Sequence, residues 1–355
     1  MAVLRPAGEL DESYAYDMAT IRQRWQWVLL VAFVLALYGL PLYASQSFVS
    51  LVNRIGITLI AVQGLNLLVG YTGQISFGQA AFMTVGGYIS ALLVSNLGWS
   101  FFLALPVAAL GTGIVGLIFG LPSLRIKGLY LVMSTLAAQI IIPWFTRHAF
   151  PSLLGGPQGV NVGVPELFGI VFNQPGRYIY ITITLVILST VVAHNVARSR
   201  LGRAFVAIRD NDLAAEIMGI NLFRYKLFAF FLAAVYAGVA GSLAAHNLRH
   251  INSATFGLDD SIFLLGTLVV GGLGTSLGPI LGTITVEYLT EAATRFGPLL
   301  VQIFPSMAGN VVHGLKPLFF GVALMLFLIL EPRGLAHRWR LFKAAWRLRP
   351  FSHWQ

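Results

Sequence analysis

Apolar sequence recurs along this chain in runs of membrane-spanning length, and those runs constrain the fold more than any motif does. A helix needs about 20 mostly apolar residues to cross a bilayer. Runs of that order cover residues 27–43, 55–69, 76–97, 101–121, 129–146 and 178–196. Four more cover 227–246, 261–270 running on toward Gly274, 277–290 and 311–330. The expected fold is therefore an all-α polytopic membrane protein of about ten transmembrane helices. The second, eighth and ninth runs are short or rich in glycine, so half-spans or re-entrant pieces would lower the number to eight. Composition supports a lipid solvent: 57% of the residues are apolar and 10% charged, too little charge to cover a soluble protein of this length.

Charge sets the expected orientation. With both termini cytoplasmic, 17 of the 23 basic residues fall in the N-terminal lead, the 125–127 turn, the loop 198–226 and the tail from Arg333 to Arg349. That asymmetry follows the positive-inside rule. Trp25, Trp27 and Trp99 fall where spans meet the interface, which suits amphipathic rings. The segmentation is then a cytoplasmic tail over 1–26, a transmembrane domain over 27–331 containing the 198–226 loop, and a basic cytoplasmic tail over 332–355. The first apolar run lacks a clear small-residue cleavage site, so it is expected to stay as a helix. The segment 147–177, with LLGGPQGVNVGVPELFG inside it, is a turn-rich outer loop. The net charge of +10 sits in loops and tails, which argues against nucleic acid. There is no cysteine, which excludes disulfides and thiolate chemistry.

Small residues recur four apart at Thr112, Gly116 and Gly120, at Ala234, Gly238 and Ser242, and at Gly274, Gly278 and Gly282. Such faces let helices approach closely in lipid. Two glycine clusters differ in kind. GYTGQISFGQ, from Gly70 to Gln79, breaks an apolar region with polar side chains, and GGLGTSLGP, from Gly271 to Pro279, does so again near the other end. Paired interruptions of this sort mark broken helices beside a transport pathway. The expected pathway residues are Asn66, Gly70, Gly73, Gln74, Ser76, Gln79, Gly271, Gly272 and Gly274. Asn53, Gln63, Gln139 and Glu287 also lie in spans, where interhelical hydrogen bonding is the simpler use. Glu287 has no evident basic partner. The absence of a paired intramembrane carboxylate and cation argues against an ion-coupled secondary transporter. His148, His246, His250 and His313 fall near span ends and are expected at the interface.

The chain carries no phosphate-cradling loop, no zinc spacing and no nucleophile elbow. It is expected to be no enzyme, to bind no metal or cofactor itself, and to draw any ATP-driven work from a partner. The loop 198–226 supplies a place for one. Asp210-Asn211-Asp212 offers capping oxygens at a helix start, Leu213 to Met218 is a short helix, and Gly219 can end it. Acidic Asp210, Asp212 and Glu216 would face an anionic leaflet unfavourably, so protein docking is favoured over a lipid-surface helix.

At these residues the chain resembles a known family. Ala214-Ala215-x-x-x-Gly219 is similar to the coupling loop of ABC importer permeases, although Leu213 stands where a Glu is usual and no Ile-x-Leu-Pro ending follows. Those departures fit the branched-chain amino acid permeases of LivM type. The wider resemblance rests on GLNLLVGYTGQISFGQAAF from Gly64, GGY from Gly86, GRAFVAIRD from Gly202, RYKLFAF from Arg224, and the Gly271–Pro279 stretch. Gln79 stands where relatives often carry His. The resemblance implies a bacterial inner-membrane subunit, embedded in lipid and working by alternating access. Its partners would be a second, LivH-like permease, two ABC ATPase subunits using ATP and Mg, and a periplasmic solute-binding protein. In that scheme Ala214, Ala215 and Gly219 seat the short helix in an ATPase groove. Asp210, Asp212 and Glu216 meet its basic rim, and Arg203 and Arg209 set the loop's position. The solute could instead be urea, a short amide or an aromatic acid.

Overall fold

A computed structural model describes residues 24–123, 129–167, 169–303 and 308–347. Arg5, Arg22, Arg125, Lys127 and Arg349, on which part of the charge argument rests, lie outside them, as does most of the 1–26 tail. The described residues are mostly α-helical. The chain forms α1 (Arg24–Tyr43), α2 (Gln46–Leu65), α3 (Gln79–Ser95), α4 (Phe101–Ser123), α5 (Leu129–His148) and α6 (Pro175–Arg198). Next come α7 (Arg200–Asp210), the short α8 (Asp212–Ile217) and α9 (Leu222–Leu248). The series ends with α10 (Leu258–Gly271), α11 (Gly278–Ile303), α12 (Ala308–Leu330) and α13 (Leu335–Arg347). A helix stands at each expected span. Among the described residues, four stretches are by themselves long and apolar enough to cross a membrane: Gln46–Tyr71, Phe101–Leu121, Pro175–Arg198 and Leu222–Leu248. The last helices add a fifth if Pro317–Leu330 and Leu335–Ala344, bent by 40°, count as one span.

Two boundaries differ from expectation, each for a polar reason. The second span begins at Gln46 rather than near residue 55, because its polar residues have partners. Asn53 donates to the Pro175 carbonyl at 3.1 Å, and Arg54 Nε lies 2.8 Å from Glu287 Oε2 on α11. Glu287 is therefore not alone. A carboxylate–cation pair does join two spans, contrary to the sequence-based expectation, and Thr58 Oγ1 donates to the other carboxylate oxygen at 2.7 Å. The third span begins late, at Gln79, because residues 72–78 run without regular structure into the bundle.

That segment lies deep in protein. Gln79 Nε2 donates to the Ala61 and Ala233 carbonyls, at 3.0 and 3.3 Å, so α3 starts well inside the bundle. Its first N–H groups have no helical acceptors, and other spans supply them. Ser261 Oγ accepts from Ala80 N at 2.9 Å, and Gln139 Oε1 accepts from Ala81 N at 2.9 Å. Just before the helix, Thr135 Oγ1 accepts from Phe77 N at 3.1 Å. Irregular backbone at this depth is tolerated only where protein satisfies it.

Helix α9 is the central post, packed by α2, α3 and α4. Small residues set the distances. A Cβ added to Gly86 of α3 would lie 2.4 Å from Gly238 Cα on α9, and one added to Gly116 of α4 would lie 2.4 Å from Ala234 Cβ. Tyr178 and Tyr236 donate across the bundle to the Leu243 and Ser189 carbonyls, each at 2.8 Å. The opposite side of α4 is apolar and exposed at Leu103, Val107, Leu110, Ile114 and Ile118, a stripe suited to lipid. At the end of α9 farther from the loop, the two-residue strands Val160–Asn161 and His250–Ile251 pair antiparallel. His246 is buried there, not interfacial: its ring bonds Ser90 Oγ at 2.9 Å and the Gly163 carbonyl at 2.8 Å.

The close contact of α3 with α9 gives a test. Gly86→Val should cost about 3 kcal/mol through overpacking, read as a lowered thermal midpoint in detergent. Val107→Ala on the apolar outer face should leave the midpoint nearly unchanged. Equal midpoints for Gly86→Val and the native chain would remove the tight helix pair as a determinant of the fold.

Candidate functional site

The two glycine interruptions, about 200 residues apart in sequence, meet in space. After Leu65, helix α2 widens into a π-helical turn over Asn66–Tyr71, a local irregularity often found at functional positions. The turn aims the Asn66 amide across the bundle. Its Nδ2 donates to the Thr275 carbonyl at 3.0 Å, and its Oδ1 accepts from Gly274 N at 2.9 Å. One side chain thus pairs with the second interruption as a neighbouring strand would. Gly70 must stay bare for this: a Cβ there would lie 2.1 Å from Asn66 Oδ1 and 2.4 Å from Gly274 N.

Arg209, from the end of α7, closes the junction. Its Nη1 donates to the Gly70 carbonyl at 2.8 Å. Its stem lies over Gly73, and Nη1 approaches Gly274. On the flank, Tyr71 Oη lies 3.4 Å from Ser276 Oγ, which is 3.3 Å from His194 Nδ1. From below, Gly272 meets the Arg333 carbonyl and Ala336 of α13, and Gly271 packs on Gly278. The C-terminal helix and the 198–226 loop therefore reach the same junction.

The other pathway candidates are turned into the protein. Gln74, Ser76 and Gln79 are buried. Gln74 Nε2 donates to Thr72 Oγ1 at 2.9 Å, and Ser76 Oγ accepts from Gly78 N at 3.3 Å. In this chain these side chains bond backbone and neighbouring residues.

The loop itself is a helical elbow. Ser199 caps α7 by accepting from Leu201 N at 3.1 Å, and α7 buries Ala204, Phe205 and Ile208 while Arg203 stays outside. Arg203 Nη1 donates to the Arg198 carbonyl at 3.4 Å. Of the three candidate caps for α8, Asn211 is used: its Oδ1 accepts from Ala214 N at 3.0 Å. Asp210 instead takes Arg209, with N–O distances of 3.2 and 3.1 Å, and Asp212 lies 3.7 Å from Lys226 Nζ. Gly219 ends the element at φ +84°. A Schellman-type turn follows, in which Ile220 N donates to the Ala215 carbonyl at 3.0 Å. Ala215 is buried against the elbow. Leu213, Ile217 and Met218 are 63%, 79% and 82% exposed, with Ala214 and Glu216 beside them in the open. A helix of six residues cannot persist alone. This one is held by its cap, its terminal turn and one buried alanine, and it presents an apolar tip outward.

This arrangement suits a lever. A rigid exposed tip is joined through α7 and one guanidinium to the place where two interrupted spans touch. Comparison with known proteins identifies the family. Residues 47–329 match the family described as branched-chain amino acid transport system / permease component. The chain belongs to that family. The permease is 30% identical over 306 residues to the high-affinity branched-chain amino acid transport system permease protein LivM of Escherichia coli, covering 79% of this chain and 71% of that protein. It is 29% identical over the same shares to the LivM protein of Salmonella typhimurium. It is also 26% identical over 246 residues to the E. coli permease LivH, covering 63% of this permease and 77% of LivH. No solved structure matches it. Membership makes the chain a multi-pass membrane protein and a transport subunit.

Sequence reasoning singled out Asn66 and Arg209 but not their meeting. It missed Ser261 as a cap for α3 and Thr135 as the acceptor for Phe77 N just before it, since a hydroxyl in a span carries no mark of its target. The Asn66 pair can be tested. Asn66→Leu leaves the Gly274 N–H and the Thr275 carbonyl without their partner and should cost about 2 kcal/mol or more. Amide exchange over residues 271–278 should quicken in the same variant. Unchanged exchange there would show that the second interruption holds its shape without Asn66.

Proposed function

We propose that this chain is the permease subunit of an ATP-driven importer that moves branched-chain, hydrophobic amino acids across a bacterial inner membrane. Its partners in this reading are a second, LivH-like permease, two ABC ATPase subunits and a periplasmic binding protein. The chain binds no cofactor of its own; ATP and Mg act on the ATPase subunits. The observation that carries the reading is the α8 tip, exposed in front and tied behind, through Arg209, to the Gly70–Gly274 junction. Closure of an ATPase dimer around that tip would press the elbow, and Arg209 would pass the displacement to both interrupted spans. Similarity to proteins named LivM and LivH supports a pair of related permeases facing each other across a pseudo-two-fold axis, as subunits of common ancestry commonly do.

The same reading has ten spans and both termini in the cytoplasm, with a tail over 1–26, a transmembrane domain over 27–331 and a basic tail over 332–355. Two contacts support a common side for the loop and the C-terminal tail: Arg209 on Gly70, and Ala336 under Gly272. Helix α2 ends at that side, so α1, which precedes it by a short turn, begins there. Asn66, Gly70, Gly73, Gln74, Ser76, Gln79, Gly271, Gly272 and Gly274 belong in this proposal to the moving junction beside the pathway, with Asn66 and the glycines acting through backbone contact. Ala214, Ala215, Glu216 and Gly219 shape the docking tip. Asp210 and Asp212, with Arg203, hold the elbow.

A second reading has one specific observation in its favour. The Arg54–Glu287 pair is a carboxylate and cation between spans, which ion-coupled transporters use. The two readings part on the energy source. Cells carrying this chain and its partners should take up radiolabelled leucine, isoleucine or valine, and deletion of the ATPase subunits should abolish uptake. Urea offered in parallel should be left outside. Uptake that survives the deletion and collapses with an uncoupler would establish the ion-coupled reading instead. Within the importer, Ile217→Asp should lower uptake at least tenfold at unchanged membrane abundance, because it puts a charge into the apolar docking contact. Gly219→Pro should abolish uptake with insertion intact; normal uptake would sink the coupling role of α8.

A further inference from the structure

The bundle shows two kinds of outward surface. Over residues 101–121 of α4 the exposed side chains are all apolar, and Ile114, midway along that helix, is 58% exposed. Between α2 and α11 the surface is polar. Ser47, Ser50 and Arg54 stand exposed on successive turns of α2, with Thr58 on the next. Glu291, Thr294 and Arg295 follow one another on α11. At the centre, Arg54 bridges both carboxylates, with Nε to Glu287 at 2.8 Å and Nη2 to Glu291 at 3.1 Å. Arg295 meets Glu291 from the other side at 3.3 Å.

Depth and exposure decide what this surface faces. Arg54, which pairs with Glu287, lies roughly 24 Å from Gly70 along α2 at about 1.5 Å per residue. That is past the middle of a hydrocarbon core about 30 Å thick. The Glu287 side chain is 4% exposed, but that of Arg54 is 45% exposed. Even in the outer third of that core a guanidinium facing lipid is costly, and charged groups in spans face protein or a water-filled cavity. Glu287 is buried with Arg54 and Thr58 and so positions the guanidinium, whereas Glu291, 26% exposed, keeps outward lone pairs beyond its bonds to Arg54 and Arg295. Two of the five guanidinium N–H groups are used on the carboxylates, which leaves donors for a planar acceptor. One turn along α11 lie Tyr288 and Ile284, 46% and 40% exposed. A charged cluster thus adjoins an exposed apolar patch.

We propose that the α2–α11 face lines the aqueous path of the solute, with the outer edge of Arg54 receiving an α-carboxylate and Glu291 the α-ammonium. The apolar side chain of the solute lies against Tyr288 and Ile284. The identity of the solute rests on the importer reading; the wetness of the face does not.

The test uses the assembled transporter in proteoliposomes. The chain has no cysteine, so a single introduced one reports a single position. Tyr288→Cys and, separately, Ile284→Cys should react with a charged, membrane-impermeant thiol reagent at least tenfold faster than Ile114→Cys, with the label read on this chain. Leucine uptake should fall at least tenfold in Arg54→Gln and recover in part in Arg54→Lys, while ATP hydrolysis by the complex continues. Equally slow labelling at all three positions would overturn the wet face, and native uptake by Arg54→Gln would overturn the carboxylate contact. If the native complex moves no leucine under ATP, the importer reading fails for that solute, while the labelling contrast still decides the face.

Discussion

A peptide group inside hydrocarbon has no water to bond, and much of this structure follows from that. Residues 72–78 leave helical geometry between two spans, and the first turn of α3 opens deep in the bundle. The break persists because side chains from two other helices supply what the helix cannot, Thr135 and Gln139 from α5 and Ser261 from α10, while Gln79 ties the start of α3 to α2 and α9. Each acceptor or donor lost would leave a buried group unpaired, at about 1–3 kcal/mol. The polar residues that look costly in the spans are thus the residues that make an interrupted span possible. Close helix contact is what lets short side chains reach their targets, so the glycine and alanine faces of α3, α4 and α9 and the polar caps depend on one another.

The same reasoning joins the break to the loop. Asn66 gives the second interruption a partner for its backbone, and Arg209 holds the first by a carbonyl. Neither bond is to a side chain that could swing away alone, so movement of α7 moves backbone. The elbow is also stiff where it needs to be, with capped ends on α7 and α8 and a buried Ala215 between them. Within the loop the most exposed apolar residues gather at the α8 tip, with Phe223 at the start of α9 less exposed.

Elsewhere the exterior divides by solvent. The α4 face offers only hydrocarbon to hydrocarbon. The α2–α11 face keeps a half-exposed guanidinium and hydroxyls, held by a carboxylate that is itself buried. A bundle wholly surrounded by lipid would gain nothing from that asymmetry, because each exposed polar group there would be a cost without a return.

Helix positions were legible in the sequence because lipid imposes a length and a polarity on every span, and both can be counted along the chain. The capped helix from Asp212 to Ile217 and its glycine terminator were legible for a local reason: cap, helix formers and left-handed residue lie within ten positions. The importance of the two glycine clusters could be suspected from composition alone. Which residues touch was not legible. Glu287 reads as a lone acid because Arg54 lies 233 residues away, and His246 reads as interfacial because its partners Ser90 and Gly163 belong to another helix and a loop. The start of α3 was placed too early because its first turn is satisfied by other spans, an arrangement no local pattern records. Sequence by itself determined the class, the positions of the apolar helices and the short capped helix, since those answer to solvent and to neighbours a few residues off. Only the tertiary structure decided the pairings, the break in the bundle and the polar face, since those answer to distances that close when helices pack.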